Sequence, residues 1–406
     1  MDYKIINDPV FGFIRIPKGI LYDIVCHPYF YRLSRIKQTG LAYMVFPGAQ
    51  HTRFQHSLGA YHLVTGAIRS LVRKGNFIFD SEEEAVCAAI LLHDIGHGPF
   101  SHVLEHTLIS GLTHEELSLM TMERLNEEFR GQLSLAIKIF KNEYPKRFLH
   151  QLISSQLDVD RLDYLRRDSF FTGVTEGNIG SSRIIDMLNV VDDHLVVEKK
   201  GIYSIENYLV SRRLMYWQGY LHKTAVAAED ILRKVLSRGK ELASEGVELF
   251  CSPSLHYFLY NVVDSSLFMS DDCAFSHFMN LDDNDIWSAL KAWQTHEDPI
   301  LSLLSRDLIN RKIFKVEVSD TPFDPSYKEG VIDKLSSTFG LDRELVTRYL
   351  ISEKEIGKDM YDIYEDKIEI LSKDGNVTDV AQVSDMLNID TLSKHVKKHY
   401  LCYQRI

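Results

Sequence analysis

The sequence predicts a mainly α-helical protein with small β-hairpins and an α+β region towards its C-terminal end. Apolar residues recur at three- and four-residue spacing, with few Gly or Pro breaks, over the stretches 51–72, 81–94, 115–141, 145–170 and 205–240. Strand-like alternation is confined to short segments. With 406 residues and 45% hydrophobic content, the chain can bury one large core or two smaller ones.

Short strand-like segments interrupt the helical pattern. Residues 11–16 and 314–318 combine apolar side chains with period-two alternation, which is typical of strands. The segment 194–203 has apolar runs on both sides of Lys199-Lys200-Gly201, and we therefore expect a hairpin there.

The hydrophobic pattern of the chain changes after about residue 312. Alternation with period two appears at 315–318 and 367–370, and polar helices lie between these segments. We therefore expect a helical domain over 1–312 and a small α+β region over 313–406, packed on the helical part or on a partner subunit.

Composition and charge limit the class of protein. The longest apolar stretch, 85–92, is far shorter than the roughly 20 residues that span a bilayer, and the first residues lack a signal-peptide pattern. The five cysteines are dispersed, as reduced thiols are. A net charge of -11 disfavours strong nucleic-acid binding but not a small anionic ligand in a locally basic pocket. We expect a cytoplasmic protein without a membrane segment.

Four candidate metal ligands are spread over separate helical stretches: His56, His93, Asp94 and Asp160. The adjacent His93 and Asp94 follow a run of apolar residues, where an unpaired buried carboxylate would cost several kcal/mol. A bound cation is the simplest compensation. Two imidazoles and two carboxylates without a thiolate suit iron, manganese, zinc, nickel or cobalt rather than calcium or copper(I).

Two further patterns place charged and aromatic residues on one helix face each. The first lies within an arc of about 100° on an ideal helix and consists of Asp160, Arg161, Tyr164 and Asp168. The second lies within about 80° and consists of Arg212, Tyr216, Tyr220 and Lys223. Taken alone, the first is more typical of an exposed ion-paired helix and the second of core packing. Two cations beside aromatic residues favour a pocket for phosphate groups.

These residues together resemble a known family. The spaced His, His-Asp and Asp set is the signature of HD-domain phosphohydrolases, which implies a helical bundle. The strings 46–59, 93–102 and 158–168 are similar to those of the deoxynucleoside triphosphate (dNTP) triphosphohydrolases, the group of the SAM-and-HD-domain enzyme. The similarity runs from about Asn7 to Lys223, and we expect no SAM domain before it.

The resemblance implies a role for each matching residue. The metal ligands would be His56, His93, Asp94 and Asp160. The groups near the scissile α-phosphate would be His97, His102 and His114, with Glu105 as an acidic partner. The phosphate-binding cations would be Arg53, Arg161, Arg212 and Lys223. The sugar 3′-hydroxyl would contact Gln38, Tyr164 and Asp168, and Tyr220 would crowd the 2′ position.

The reaction that this resemblance implies is metal-dependent attack at the α-phosphorus of a dNTP, which releases a deoxynucleoside and triphosphate. The cofactor would be a divalent transition metal, with Mg²⁺ on the substrate phosphates as an addition. Relatives are oligomeric, so a homo-oligomer, dimer or tetramer, is expected. The alternatives are an HD-type phosphodiesterase or phosphatase acting on another nucleotide, and a non-enzymatic nucleotide sensor.

The sequence also departs from the family pattern. Where human-type relatives bind a guanine-nucleotide activator, this chain has Cys26, Tyr31 and Ser34, which cannot make the same polar contacts. We therefore do not expect a guanine nucleotide to activate it at that place, and activation by another dNTP stays open. Thr39 stands where the family has an aliphatic residue beside the glutamine, which leaves the base preference open.

Overall fold

The computed structural model describes residues 2–104, 107, 109–270, 272–358, 361, 367–386 and 396–406. Its helices are α1 (Ile20–Cys26), α2 (Pro28–Tyr31), α3 (Arg53–Arg73), α4 (Asp80–Leu92), α5 (Ser101–Leu104), α6 (His114–Glu128), α7 (Ser134–Phe140), α8 (Arg147–Ile153), α9 (Val159–Thr172), α10 (Ser181–Met187), α11 (Ile202–Leu214), α12 (Lys223–Ser244), α13 (Pro253–Tyr260), α14 (Ser265–Ser270), α15 (Asp272–Asn280), α16 (Asp283–Trp293), α17 (Pro299–Ile309), α18 (Pro325–Phe339), α19 (Arg343–Tyr349) and α20 (Val380–Val383). Its strands are β1 (Tyr3–Asp8), β2 (Gly12–Pro17), β3 (Ile109–Ser110), β4 (Leu188–Val191), β5 (His194–Glu198), β6 (Val263–Asp264), β7 (Lys315–Ser319), β8 (Ile351–Lys358), β9 (Glu369–Leu371), β10 (Val377–Asp379) and β11 (Val396–Tyr403).

The mainly α-helical class is confirmed, and α3 and α4 begin and end close to the predicted positions. The long stretches 115–141 and 145–170 are each divided into two helices. The first break contains Arg130 and Gly131, both at positive φ, and the second ends where the Asp158 carboxylate caps α9. The hydrophobic periodicity of the sequence alone does not indicate such a break between two helices. In the part of the chain that is described, no helix combines the length and hydropathy that a bilayer crossing needs.

The helix expected over 205–240 is wrong as a single element. Helix α11 runs into a π-helical turn at Met215–Tyr220, and after Leu221 the chain starts afresh in α12, whose N-cap is His222. A π turn holds more residues than an α turn, and such turns are frequent at functional sites. The shared face of Arg212, Tyr216, Tyr220 and Lys223, which was calculated for an unbroken α-helix, therefore does not apply beyond residue 214.

The strands at 11–16 and 314–318 are confirmed as β2 and β7. The hairpin at 194–203 is wrong in its second arm, because β5 pairs with the preceding strand β4 and residues 199–201 form a helical turn. The turn is made by Asp192 and Asp193, with φ of 50° and 60°. Two consecutive residues at positive φ are the mark of a two-residue hairpin turn.

Two hydrophobic cores hold the chain together. One is built on α3, α4, α8, α9 and α11, and the other on α12, α13, α16 and α17. The α+β region contributes to both: β9 lies parallel to β5 in the sheet β10-β9-β5-β4, and the antiparallel sheet β7-β11-β8 packs on the second core. The region is thus packed on the helical part, and the boundary at residue 312 stays a prediction.

Candidate active site

Three of the four predicted metal ligands converge on one point. The Nε2 atoms of His56 and His93 lie 3.2 Å apart, and Asp160 Oδ1 lies 3.0 Å from the first and 3.4 Å from the second. A metal about 2.1 Å from each donor would place neighbouring donors about 3.0 to 3.4 Å apart, depending on the coordination angle. The spacing therefore fits a first-row divalent metal.

The rings of both histidines are oriented by a second hydrogen bond. His56 Nδ1 donates to Asp163 Oδ2 at 2.7 Å, and His93 Nδ1 donates to the carbonyl oxygen of Ile90 at 2.6 Å. With the proton held on Nδ1, each Nε2 presents its lone pair to the point where the three groups meet. This arrangement is usual for histidine ligands of metals, and partners of this kind tune both orientation and basicity.

Asp163 belongs to a buried charge network that the sequence pattern does not indicate. Arg167 donates to both of its carboxylate oxygens at 3.0 Å and also binds Asp8, at 2.8 Å, in the N-terminal hairpin. The network lies where α3 crosses α9. Helix α3 has a glycine at this crossing, Gly59, because a Cβ there would clash with Asp163 and Arg167. A glycine inside a predicted helix, one turn after His56, is the feature of the sequence that could have indicated this close contact between helices.

The electrostatics at the place where His56, His93 and Asp160 converge favour a positive charge. Burial lowers the pKa of His56, but hydrogen bonds to Asp160 and Asp163 outweigh burial and raise that pKa to about 10. Burial raises the pKa of Asp160, yet hydrogen bonds to His56 and His93 bring it well below its ordinary value. Groups that stabilise a proton so strongly would equally stabilise a bound cation in its place.

Asp94, the fourth predicted ligand, lies beside the other three. Its Oδ1 is 3.4 Å from His93 Nε2, and its Oδ2 is 3.7 Å from His56 Nε2. Oδ2 also accepts a hydrogen bond from Arg53 Nη1 at 2.6 Å. Helix α4 ends at Leu92, so both His93 and Asp94 follow the helix rather than lie within it. The carboxylate is therefore shared between the metal position and a cation from α3.

The predicted acids His97 and His114 stack on each other next to this group, with ring centroids 4.0 Å apart. His97 Nε2 lies 3.2 Å from Asp94 Oδ1, and its Nδ1 lies 2.7 Å from the Ser101 hydroxyl. Burial and the nearby Arg53 lower the pKa of His97 to about 3. The negative charge of an approaching polyanion would offset the charge of Arg53 and so act against this lowering of the pKa.

Helix α6 is held against the His93–His97 segment by one serine and one glycine. The Ser118 hydroxyl donates to the His93 carbonyl at 2.7 Å and accepts from the Gly96 N–H at 3.0 Å. A Cβ at Gly96 would clash with the backbone of α6, so only glycine permits this approach. His114, the first residue of α6, is thereby brought onto His97. The side chain of His102, and Glu105 altogether, lie outside the described residues.

A cavity of about 570 Å³ opens from this group. Its volume is within the usual range for small-molecule sites. Predicted site residues that line it are Gln38, Arg53, Asp94, His97, His114, Asp160, Arg161, Tyr164, Asp168 and Tyr220. The residues of α9 that were expected on one face, from Asp160 to Asp168, therefore do face one space.

The residues predicted to hold the sugar are linked to one another. The Tyr220 hydroxyl donates to Asp168 Oδ2 at 2.5 Å, and His51 Nε2 donates to Asp168 Oδ1 at 2.6 Å. The His51 carbonyl oxygen accepts the Gln38 N–H at 3.0 Å, so the same residue also positions Gln38. His51 was not predicted to have a role. The hydrogen bond between the backbones of His51 and Gln38 could not be read from the sequence.

The cations expected at the phosphates differ in their positions. Arg53 and Arg161 line the cavity, whereas in the described part of the chain its wall does not include Arg212 or Lys223. Arg212 is half-buried, and its buried Nε and Nη1 atoms have no hydrogen-bond partner among the described residues. Lys223 is exposed at the start of α12, because the chain breaks after the π-helical turn. Phosphate contacts by these two residues stay predictions.

Comparisons with known proteins show to which domains and chains this sequence is similar. The model of the HD domain matches residues 53–168, and that of an HD associated region matches 179–248. A crystal structure of a phosphohydrolase from Bacteroides thetaiotaomicron is 63% identical, with a TM-score of 0.97 and 100% of both chains covered. An uncharacterised protein of Bacillus subtilis is 33% identical over 100% of this chain and 93% of its own.

The chain belongs to the HD-domain phosphohydrolase family. HD domains are metal-dependent, and the matched region contains His56, His93, Asp94 and Asp160. This HD-domain phosphohydrolase is also 31% identical to the human deoxynucleoside triphosphate triphosphohydrolase SAMHD1, over 54% of this chain and 42% of that protein. It thus spans less than half the length of that relative.

Proposed function

We propose that this protein hydrolyses dNTPs to a deoxynucleoside and inorganic triphosphate. The observation that carries the proposal is a cavity whose wall contains Asp160, one of the metal-ligand group, together with the hydrogen-bonded pair Asp168 and Tyr220. The first suits a phosphate and the second a deoxyribose. The similarity to a dNTP triphosphohydrolase supports the same assignment.

The metal would be held by His56, His93 and Asp160, with Asp94 beside them, and nitrogen and oxygen donors suit Fe, Mn, Zn, Ni or Co. When bound, such an ion supplies Lewis acidity and a water molecule with a pKa of about 7. The substrate phosphates would also be able to carry Mg²⁺. Assembly into a dimer or tetramer, and activation by a dNTP, stay predictions from the family resemblance.

The chain's own groups then neutralise charge and supply a proton. Arg53, with its Nε buried and unpaired among the described residues, and Arg161 would contact the triphosphate oxygens as charge develops on them. The stacked His97 and His114 would supply the proton that the departing 5′-oxygen needs.

The experiment that tests this function is product identification over a substrate panel. The metal-loaded protein is incubated with each dNTP and NTP, with bis-p-nitrophenyl phosphate for phosphodiesterase activity and with dNMPs for phosphatase activity. We expect deoxynucleoside and triphosphate in equal amounts from dNTPs, with little turnover of NTPs. Hydrolysis of the diester or the monophosphates in preference to dNTPs would favour the alternative HD-type activities, and no turnover after metal loading would favour a sensor.

Tyr220 should determine the preference for deoxyribose. A shorter side chain in Tyr220→Val would free the space at the 2′ carbon, so the ratio of kcat/KM for dNTP over NTP should narrow by roughly 10- to 200-fold. The matched control is Tyr220→Phe, which keeps the ring but loses the hydrogen bond to Asp168, and should keep most of the discrimination. An unchanged ratio in Tyr220→Val would mean that the ring only packs against its neighbours.

A further inference from the structure

A carboxyl group lines the cavity at a place that none of the roles above uses. Glu229 lies in the second turn of α12, and its Oε1 is 3.8 Å from the position that a Cβ on Gly40 would occupy. Within the described residues it makes no hydrogen bond or ion pair. Lys354, whose charge acts on it, is bound to Asp230 at 3.0 Å.

The carboxyl group is poorly solvated where it stands. Burial raises the pKa of Glu229 to about 7, and the charge of Lys354 only partly opposes this. The side chain is half-buried in the cavity wall, and a ligand that offers N–H donors would form the hydrogen bonds that the carboxyl group lacks there. The raised pKa in a cavity wall is thus in keeping with a group that awaits a ligand.

The neighbours of Glu229 form the surroundings of a flat polar ring. Phe100 lines the same part of the cavity, with Cδ1 3.9 Å from the Cβ position of Gly40. Its φ of 48° is unusual for an aromatic residue, and such strain is common at ligand sites. The Thr39 hydroxyl is buried and has no hydrogen-bond partner among the described residues. An aromatic wall, a hydroxyl group and a carboxyl group therefore lie together.

We propose that Glu229 contacts the nucleobase and selects guanine. The inference rests on the proposed function, because it takes the cavity to hold a deoxynucleotide. The segment that contains Gln38, predicted to contact the sugar, continues directly through Thr39 to Gly40, so the base would lie next to the sugar at this wall.

The choice of guanine follows from the donor and acceptor patterns. Hydrogen bonds from two N–H donors of a ligand would hold Glu229 in its ionised form, and an ionised carboxylate only accepts hydrogen bonds, at two adjacent oxygens. Guanine presents two adjacent donors, N1–H and the 2-amino group, and both can be bound at once. Adenine and cytosine place a ring-nitrogen acceptor beside their amino group, and thymine places its single N–H between two carbonyl oxygens. Each of these three bases would therefore direct an acceptor lone pair towards the carboxylate. In the guanine complex the Thr39 hydroxyl can in addition donate a hydrogen bond to O6.

The first test needs no variant. The metal-loaded protein is assayed with dGTP, dITP, dATP, dCTP and dTTP, where dITP lacks only the 2-amino group of guanine. We expect kcat/KM for dGTP to exceed that for dITP by about 10- to 100-fold, as for one good bidentate base contact. Equal values for dGTP and dITP would overturn the inference while leaving the triphosphohydrolase reaction intact.

The second test changes the carboxylate. Glu229→Gln replaces one acceptor by a donor at constant size, so the ratio of dGTP to dATP turnover should fall by about 10-fold or more. The matched control is Glu245→Gln, at the exposed C-terminal end of the same helix, which should keep the wild-type ratio. A wild-type ratio in Glu229→Gln would contradict the assignment.

Binding separates this inference from the proposed reaction. The dissociation constants of dGMP and dIMP are measured by calorimetry on the wild type and on Glu229→Gln. A preference for dGMP that Glu229→Gln removes would support base selection even if no dNTP were cleaved to triphosphate, a result that would refute the proposed reaction alone. Equal affinity for dGMP and dIMP in the wild type would overturn base selection, whatever the products are.

Discussion

Replacing Asp94 by Asn, or His93 by Ala, should remove bound metal and catalytic activity together. Asp94 lies within 3.7 Å of both histidine nitrogens and also neutralises Arg53, while His93 is one of the three converging donors. Loss of a charge of this kind at the reacting centre should lower kcat by on the order of 10³-fold. Metal content is measured by inductively coupled plasma mass spectrometry on dialysed protein, and kcat by triphosphate release.

The matched control for this pair is His62→Ala. His62 lies on α3, the helix of His56, but lines a different groove, and its ring centroid is 5.2 Å from that of Phe11. The variant should bind metal stoichiometrically and retain activity. Full metal occupancy in both Asp94→Asn and His93→Ala would show that the ion lies elsewhere and would contradict the site assignment.

Replacing Arg167 by Ala should destabilise the protein by about 3 to 5 kcal/mol, as expected when one partner of a buried ion pair is removed. The guanidinium is fully buried between Asp163 and Asp8, so its loss leaves two buried carboxylates without their counter-charge. The free energy of unfolding is measured by urea denaturation. Because Asp163 also orients His56, metal affinity should fall as well, by about 10- to 100-fold.

Arg73→Ala serves as the control for arginine removal. Arg73 lies 3.5 Å from Asp186 on the surface, with 72% of its side chain exposed. Such exposed pairs contribute about 0 to 1 kcal/mol because water and salt screen them. A comparable stability loss in Arg73→Ala and Arg167→Ala would argue against a special role for the network that links Asp8, Arg167 and Asp163.

The sequence predicts the part of the site that follows from helical periodicity and ligand type. Asp160 and Asp168 are separated by about two helical turns, so their shared face follows from the geometry of α9 alone. His56 and His93 lie on different elements, and their combination with carboxylates indicates a metal site through the chemistry of the donor atoms alone. The mainly helical fold follows from the same periodicity.

The remaining features depend on contacts between distant parts of the chain. His51 and Asp168 are 117 residues apart, and His56 and Asp163 are 107 apart, so no local pattern indicates these hydrogen bonds. The parallel pairing of β5 with β9 is equally long-range. Glu229 resembles an ordinary polar residue of an amphipathic helix, and only the cavity shows that its carboxyl group faces inward.

The most direct measurement of the proposed reaction is dNTP hydrolysis in water enriched in oxygen-18. Attack at the α-phosphorus with departure of the 5′-oxygen, near His97 and His114, predicts one solvent oxygen in each triphosphate and none in the deoxynucleoside. Mass spectrometry of both products reads this directly. Label in the deoxynucleoside, or release of pyrophosphate with dNMP or of phosphate with dNDP, would contradict the account.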